Sequence, residues 1–102
     1  MTSPLDTEVR VGTVESAEAF PETRKPEMVK LVVDLGDRTV PSAAQLGYHH
    51  DPGTQVLCAL GLGTVNIAGF ESEALTLGVP GDDGNPVLVR PDSAVPSGGE
   101  LY

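Results

Sequence analysis

Met28-Val29-Lys30-Leu31-Val32-Val33-Asp34-Leu35 is the stretch on which the fold turns. Val29, Leu31, Val33 and Leu35 fall in phase at every second position, which puts them on one face of a strand. β-Branched residues are frequent in it, and such side chains suit a pleated, half-buried surface. Gly36-Asp37 follows as a turn signal, and Arg38-Thr39-Val40 reads as a short returning strand. Ser42, after Pro41, is placed to cap a helical turn over Ala43-Ala44-Gln45-Leu46, which Gly47 would end.

Outward from that hairpin the same grammar repeats. Residues 1–7 are polar and expected to fray. Glu8-Val9-Arg10-Val11-Gly12-Thr13-Val14 alternates as a strand with a bulge or bend expected at Gly12, and it continues to Phe20. Pro21 to Pro26 bound a charged loop. Downstream, Tyr48 to Gly53 is loop, and Thr54 to Leu60 is a buried strand. Val65–Phe70 and Ala74–Val79 are strand-like pieces. Pro80-Gly81-Asp82-Asp83-Gly84-Asn85 is a dense turn cluster, Pro86–Arg90 a last strand, and 91–102 a Pro/Gly-rich tail. The sum is five or six short strands, one helical turn and no long helix. Small all-β chains of this kind close into barrels, which removes exposed edges. The expectation is one domain over residues 1–102, an all-β, five-stranded OB-fold barrel with a short helical turn and extra C-terminal strands; pattern alone also admits an SH3-like barrel.

Composition narrows the function classes. The chain has 102 residues, which is room for one core and no separate cofactor domain. Aromatic content is 4%, with no Trp, so Val, Leu, Ala and Ile must build the core. Fifteen acids against six bases give a net charge of −9, a balance that ordinarily argues against nucleic acid. The acids are spread without a run, and Lys occurs only at 25 and 30. An acidic surface spread this way suits a protein kept soluble in high salt, where self-repulsion is screened, so a halophilic origin is expected. No basic-then-apolar leader opens the sequence and no apolar run reaches membrane-span length, which makes a cytoplasmic location the default expectation.

No constellation of catalytic or metal-ligating residues stands out. Cys58 is single and sits in the apolar run Gln55-Val56-Leu57-Cys58-Ala59-Leu60, where it reads as a small buried hydrophobe. His49-His50-Asp51 has no second Cys or His elsewhere to complete a zinc site. Ser72 lacks a nucleophile elbow, and Gly61-Leu62-Gly63 does not continue into a phosphate loop. A non-catalytic protein with no cofactor and no metal is expected. Five of the six cations, Arg10, Arg24, Lys25, Lys30 and Arg38, crowd into residues 10–38, which is the most informative charge feature. Phe20, Phe70, Tyr48 and Tyr102 are the candidates for stacking on bases.

These residues carry a specific resemblance. Val9-Arg10-Val11-Gly12-Thr13-Val14 with Ala17-Glu18-Ala19-Phe20-Pro21-Glu22-Thr23-Arg24-Lys25-Pro26 resembles the opening of CsaA-like proteins. Lys30-Leu31 and Val33-Asp34-Leu35-Gly36 follow in order. Ser42-Ala43-Ala44-Gln45-Leu46 is similar to that family's S-[SA]-A-Q-[IL] segment. Ile67-Ala68-Gly69-Phe70-Glu71-Ser72-Glu73-Ala74-Leu75 is similar to its I-x-G-[FV]-x-S-E-x-L segment. Arg90-Pro91-Asp92 and Val95-Pro96-Ser97-Gly98-Gly99 resemble its ending. Where the family has an Asn-Phe-Pro-Pro-Arg-type loop, this chain reads Gly61-Leu62-Gly63-Thr64-Val65.

The resemblance implies an OB-fold homodimer that binds tRNA, and also a chaperone that binds unfolded preproteins for export. Carried over by position, Arg24, Lys25, Lys30, Ser42, Gln45, Ser72 and Glu73 are the implied tRNA-binding residues. For the peptide-binding alternative, an exposed apolar groove is expected at Leu60, Leu62, Val65 and Ile67.

Overall fold

The computed structural model describes residues 6–24, 28–46 and 51–102. Nine strands run in chain order: β1 Glu8–Ala19, β2 Met28–Asp34, β3 Thr39–Gln45, β4 Gln55–Leu60, β5 Val65–Ile67, β6 Phe70–Ser72, β7 Leu75–Thr76, β8 Gly78–Pro80 and β9 Pro86–Leu88. The main sheet has five strands in the order β3-β2-β1-β4-β7, all antiparallel, and curls into a nearly closed barrel. β5–β6 and β8–β9 are separate hairpins. The all-β barrel with extra C-terminal strands is therefore as expected.

The in-phase residues of β2 behave as their spacing dictates. Leu31, Val33 and Leu35 are wholly buried and join Val14, Val40, Val56, Cys58 and Leu60 in one core. Gly12 is needed for close approach, not for a bulge: a Cβ there would overlap the Val33 side chain. The bulge lies instead at Glu15, where the β1–β2 register slips between Val14 and Ser16. This flips the phase of β1 and bends it around the barrel.

The helical turn expected over residues 42–46 is strand. Val40, Ser42, Ala44 and Leu46 are buried at alternate positions, and β3 pairs with β2 from Asp34↔Thr39 to Met28↔Gln45. The alternating burial outweighs the helical propensity of Ala43-Ala44, a weak prior that tertiary context overrides. The described helical turn is a 3₁₀ turn at Pro21–Thr23, ending at Arg24 with φ 60°. Ser42 shows why the strand wins. Its hydroxyl donates to the Ala74 carbonyl (2.8 Å) and lies 2.9 Å from the Thr76 hydroxyl, so it joins β3 to β7, the two ends of the sheet.

The tail is a strap along the first half of β1. Val11 N–H donates to Gly99 C=O, Gly98 N–H to Val11 C=O and Leu101 N–H to Val9 C=O. Gln55 exchanges two side-chain hydrogen bonds with the backbone of Val95. The strap occupies a strand edge that would otherwise expose its ladder groups. Gly98 sits at φ 93°, where a side chain would collide with the Leu35 carbonyl.

Candidate nucleic-acid interface

The four described cations of the cluster separate into two groups. Arg10 is a tie: its guanidinium donates to Gly98 C=O (3.0 Å) and Leu35 C=O (3.1 Å) and pairs with Asp37 at 3.3 Å. Arg38 also reaches Asp37, at 3.7 Å. Arg24 and Lys30, by contrast, have no carboxylate partner among the described residues. Lys25 lies outside the described residues.

Lys30 is instead held by rings. Its ammonium lies 4.7 Å from the Phe20 ring centre and 5.8 Å from that of Phe70. The two rings meet edge to face at 5.7 Å. β1 ends at Ala19 and Phe20 turns inward as an anchor, buried under this cluster. Phe70 opens β6 and is half-buried. It follows a tight turn in which Ala68 and Gly69 both have positive φ, 48° and 86°, the backbone that type I′ hairpins require. A cation over an aromatic face is attracted by the ring quadrupole and stays free to meet an anion on its other side.

A row of residues runs from Lys30 across three strands. Lys30 pairs with Ala43 on β3, and Ala43 N–H donates to the Ser72 hydroxyl on β6. Glu73, next in the chain, donates its N–H to Pro41 C=O. This row ends in an apolar groove of about 210 Å³ lined by Ala43, Leu62, Val65, Ile67, Ser72, Glu73 and Leu75. Ile67 lies directly opposite Phe70 in the hairpin, so groove and aromatic cluster share one hairpin face. A second groove of about 330 Å³ adjoins it, with Ala43, Gln45, Leu75 and Val79 among its walls.

The expected site residues thus fall into three places. Lys30, Arg24 and Glu73 present charge, Arg24 and Glu73 from exposed positions. Gln45 lines the neighbouring groove. Ser42 and Ser72 are buried and hydrogen-bonded to the barrel, which makes them frame. Of the apolar set, Leu62, Val65 and Ile67 line the groove, with Leu62 and Val65 each 55% exposed. Leu60 does not: as the last residue of β4 it points into the core and is 3% exposed. Sequence reasoning missed Leu75, which is 53% exposed and lines both grooves. Tyr102 is exposed at the chain end; Tyr48, His49 and His50 lie outside the described residues. Among the described residues no group of three or more His, Cys, Asp and Glu is placed to hold a metal, and no helix is long and apolar enough to cross a membrane.

Comparisons with known proteins identify the family. The family model described as "Putative tRNA binding domain" matches residues 9–100. The methionine–tRNA ligase of Methanococcoides burtonii is 38% identical over 96 residues, which is 88% of this chain and 13% of the ligase. This chain therefore spans about an eighth of the ligase's length. The CsaA chaperone of Picrophilus torridus superposes with a TM-score of 0.85 at 30% identity, covering 95% of this chain and 92% of the other. CsaA of Bacillus anthracis superposes at 0.80 with 31% identity, over 94% and 90% of the two chains. The chain belongs to the tRNA-binding-domain family, as a CsaA-like member of it.

Proposed function

We propose that this chain is a non-catalytic tRNA-binding module whose contact surface is the Lys30–Phe20–Phe70 cluster and the groove beside it. One observation carries the reading: in a chain of net charge −9, Lys30 is laid over two rings and left without a carboxylate partner among the described residues. A cation kept in this way is available to a phosphate, and a half-buried ring beside it is available to a base. Arg24 adds an exposed cation near the same end of the β1–β2 hairpin, and Lys25, next in sequence, is proposed as a further contact. Gln45 extends the surface, while Ser42 and Ser72 hold its strands in place.

The module works as a homodimer in a saline cytoplasm on this reading. Two copies of a chain this acidic must meet on an uncharged face. Val79 and Val87, opposite one another in the β8–β9 hairpin with exposures of 52% and 39%, supply one. The groove favours a second role, as a chaperone seating apolar segments of unfolded preproteins for export against Leu62, Val65 and Ile67.

Titration of labelled bulk tRNA with the wild type and with Lys30→Glu separates the two roles. Loss of tRNA binding in the variant, with capture of an unfolded client retained, is the expected result. Unchanged tRNA affinity in Lys30→Glu would remove this surface from the role.

A further inference from the structure

We infer that the groove between β3, the β5–β6 hairpin and Leu75 takes one unpaired nucleobase, and that Glu73 makes it select guanine. The inference rests on the tRNA-binding reading and specifies which part of the RNA this site reads.

The groove holds about 210 Å³, below the roughly 300–1,000 Å³ of pockets for drug-sized ligands. That suits a single ring system. Its lining is mostly aliphatic, with Leu62, Val65, Ile67, Ala43 and Leu75 among it. A flat base gains by leaving water for such a surface. At one end Lys30 stands one strand from Ala43, able to take the phosphate of the inserted nucleotide. Among the groove's lining residues only Glu73 is charged.

A carboxylate beside RNA is repelled by phosphate unless a base supplies donors to it. Ionised Glu73 only accepts, through two oxygens. Guanine alone presents two adjacent N–H donors, N1–H and the N2 amine, on its pairing edge. Adenine and cytosine place one donor beside a ring-nitrogen acceptor, and uracil flanks its one donor with two carbonyls. The pairing edge must be free, so the target is a loop, bulge or end and not a duplex.

Glu73 is exposed and its N–H bond to Pro41 is independent of its side chain, so Glu73→Gln keeps the fold. The test follows the methyl resonances of Leu62, Val65, Ile67 and Leu75 while GMP, IMP, AMP, CMP and UMP are titrated separately. GMP should move these methyls and bind about tenfold tighter than AMP, within the range of a bidentate base contact. IMP, which lacks the amine, should fall between, and Glu73→Gln should bring GMP down to the level of the rest. Equal binding of all five nucleotides, or no movement of these methyls while tRNA still binds, would overturn the base pocket and leave tRNA binding standing. GMP selectivity in a protein that binds no tRNA would overturn the tRNA reading and leave the pocket.

Discussion

The Lys30 ammonium lies 4.7 Å from the centre of the Phe20 ring, although cross-strand pairing sets the same residue opposite Glu18. An acid is thus within reach in the ladder, yet the side chain rests on the ring pair. Exposed cation–π contacts contribute about 0.5–1 kcal/mol. Lys30→Met should therefore cost less than about 1 kcal/mol in urea unfolding while lowering tRNA affinity markedly. A loss of several kcal/mol would mean that Lys30 is a structural residue and not a contact.

Ser42 should behave in the opposite way. Its hydroxyl is wholly buried and ties β3 to Ala74 and Thr76 at the barrel seam. Ser42→Ala should destabilise by about 1–2 kcal/mol, the cost of a lost buried hydrogen bond and an orphaned partner. The Ala74 carbonyl keeps its bond from Ser72, which places the effect at the lower end. Measured well below the unfolding transition, tRNA affinity of the variant should stay within a few-fold of wild type.

Ala68 occupies the left-handed region at φ 48° in the β5–β6 turn. That conformation costs an L-residue with a Cβ about 1–2 kcal/mol. Ala68→Asn or Ala68→Gly should stabilise the protein by roughly 0.5–1 kcal/mol, read as a higher urea midpoint at unchanged m-value. A drop in midpoint would show that the Ala68 methyl makes a contact worth more than its strain.

Burial pushes the Cys58 thiol above its ordinary value of 9.0, partly opposed by the Thr76 hydroxyl. The folded state thus favours the neutral thiol more than the unfolded chain does. Its contribution is fully present below pH 9.0 and is lost as pH climbs through the raised value. A Cys58→Ala variant should show a flatter stability profile above that pH than wild type. In the native state the thiol should resist a thiol-reactive dye until the barrel opens.

How much was legible follows the range of each signal. The β2 strand is written in Val29, Leu31, Val33 and Leu35, because a period of two is local. The segment over 42–46 misleads because Ser-Ala-Ala-Gln-Leu satisfies helix chemistry locally, while the partner that decides it, Thr76, lies 34 residues away. Leu60 is legible as the end of a buried strand; its place in the expected groove is what fails, because it closes the buried run of β4 and stays in the core. The tail carries no alternation at all. Its strap is held largely by backbone groups of Val9 and Val11, and side-chain patterns do not encode those. The cations Arg10 and Lys30 look alike in sequence; only the fold brings Gly98 and Leu35 to one and two phenylalanines to the other.

On the proposed surface, a few cations and a stacking surface, not a basic field, carry tRNA binding. The most direct test is a titration of bulk tRNA across a KCl series reaching molar salt, with log K plotted against log salt. Each phosphate contact on single-stranded RNA contributes a slope of roughly −0.7. Contacts from Lys30, Arg24 and Lys25 predict a shallow line of about −2 per protomer, with binding that persists at high salt. Absence of binding even at the lowest salt would remove tRNA as the ligand of this surface and turn attention to unfolded polypeptide as the ligand of the groove.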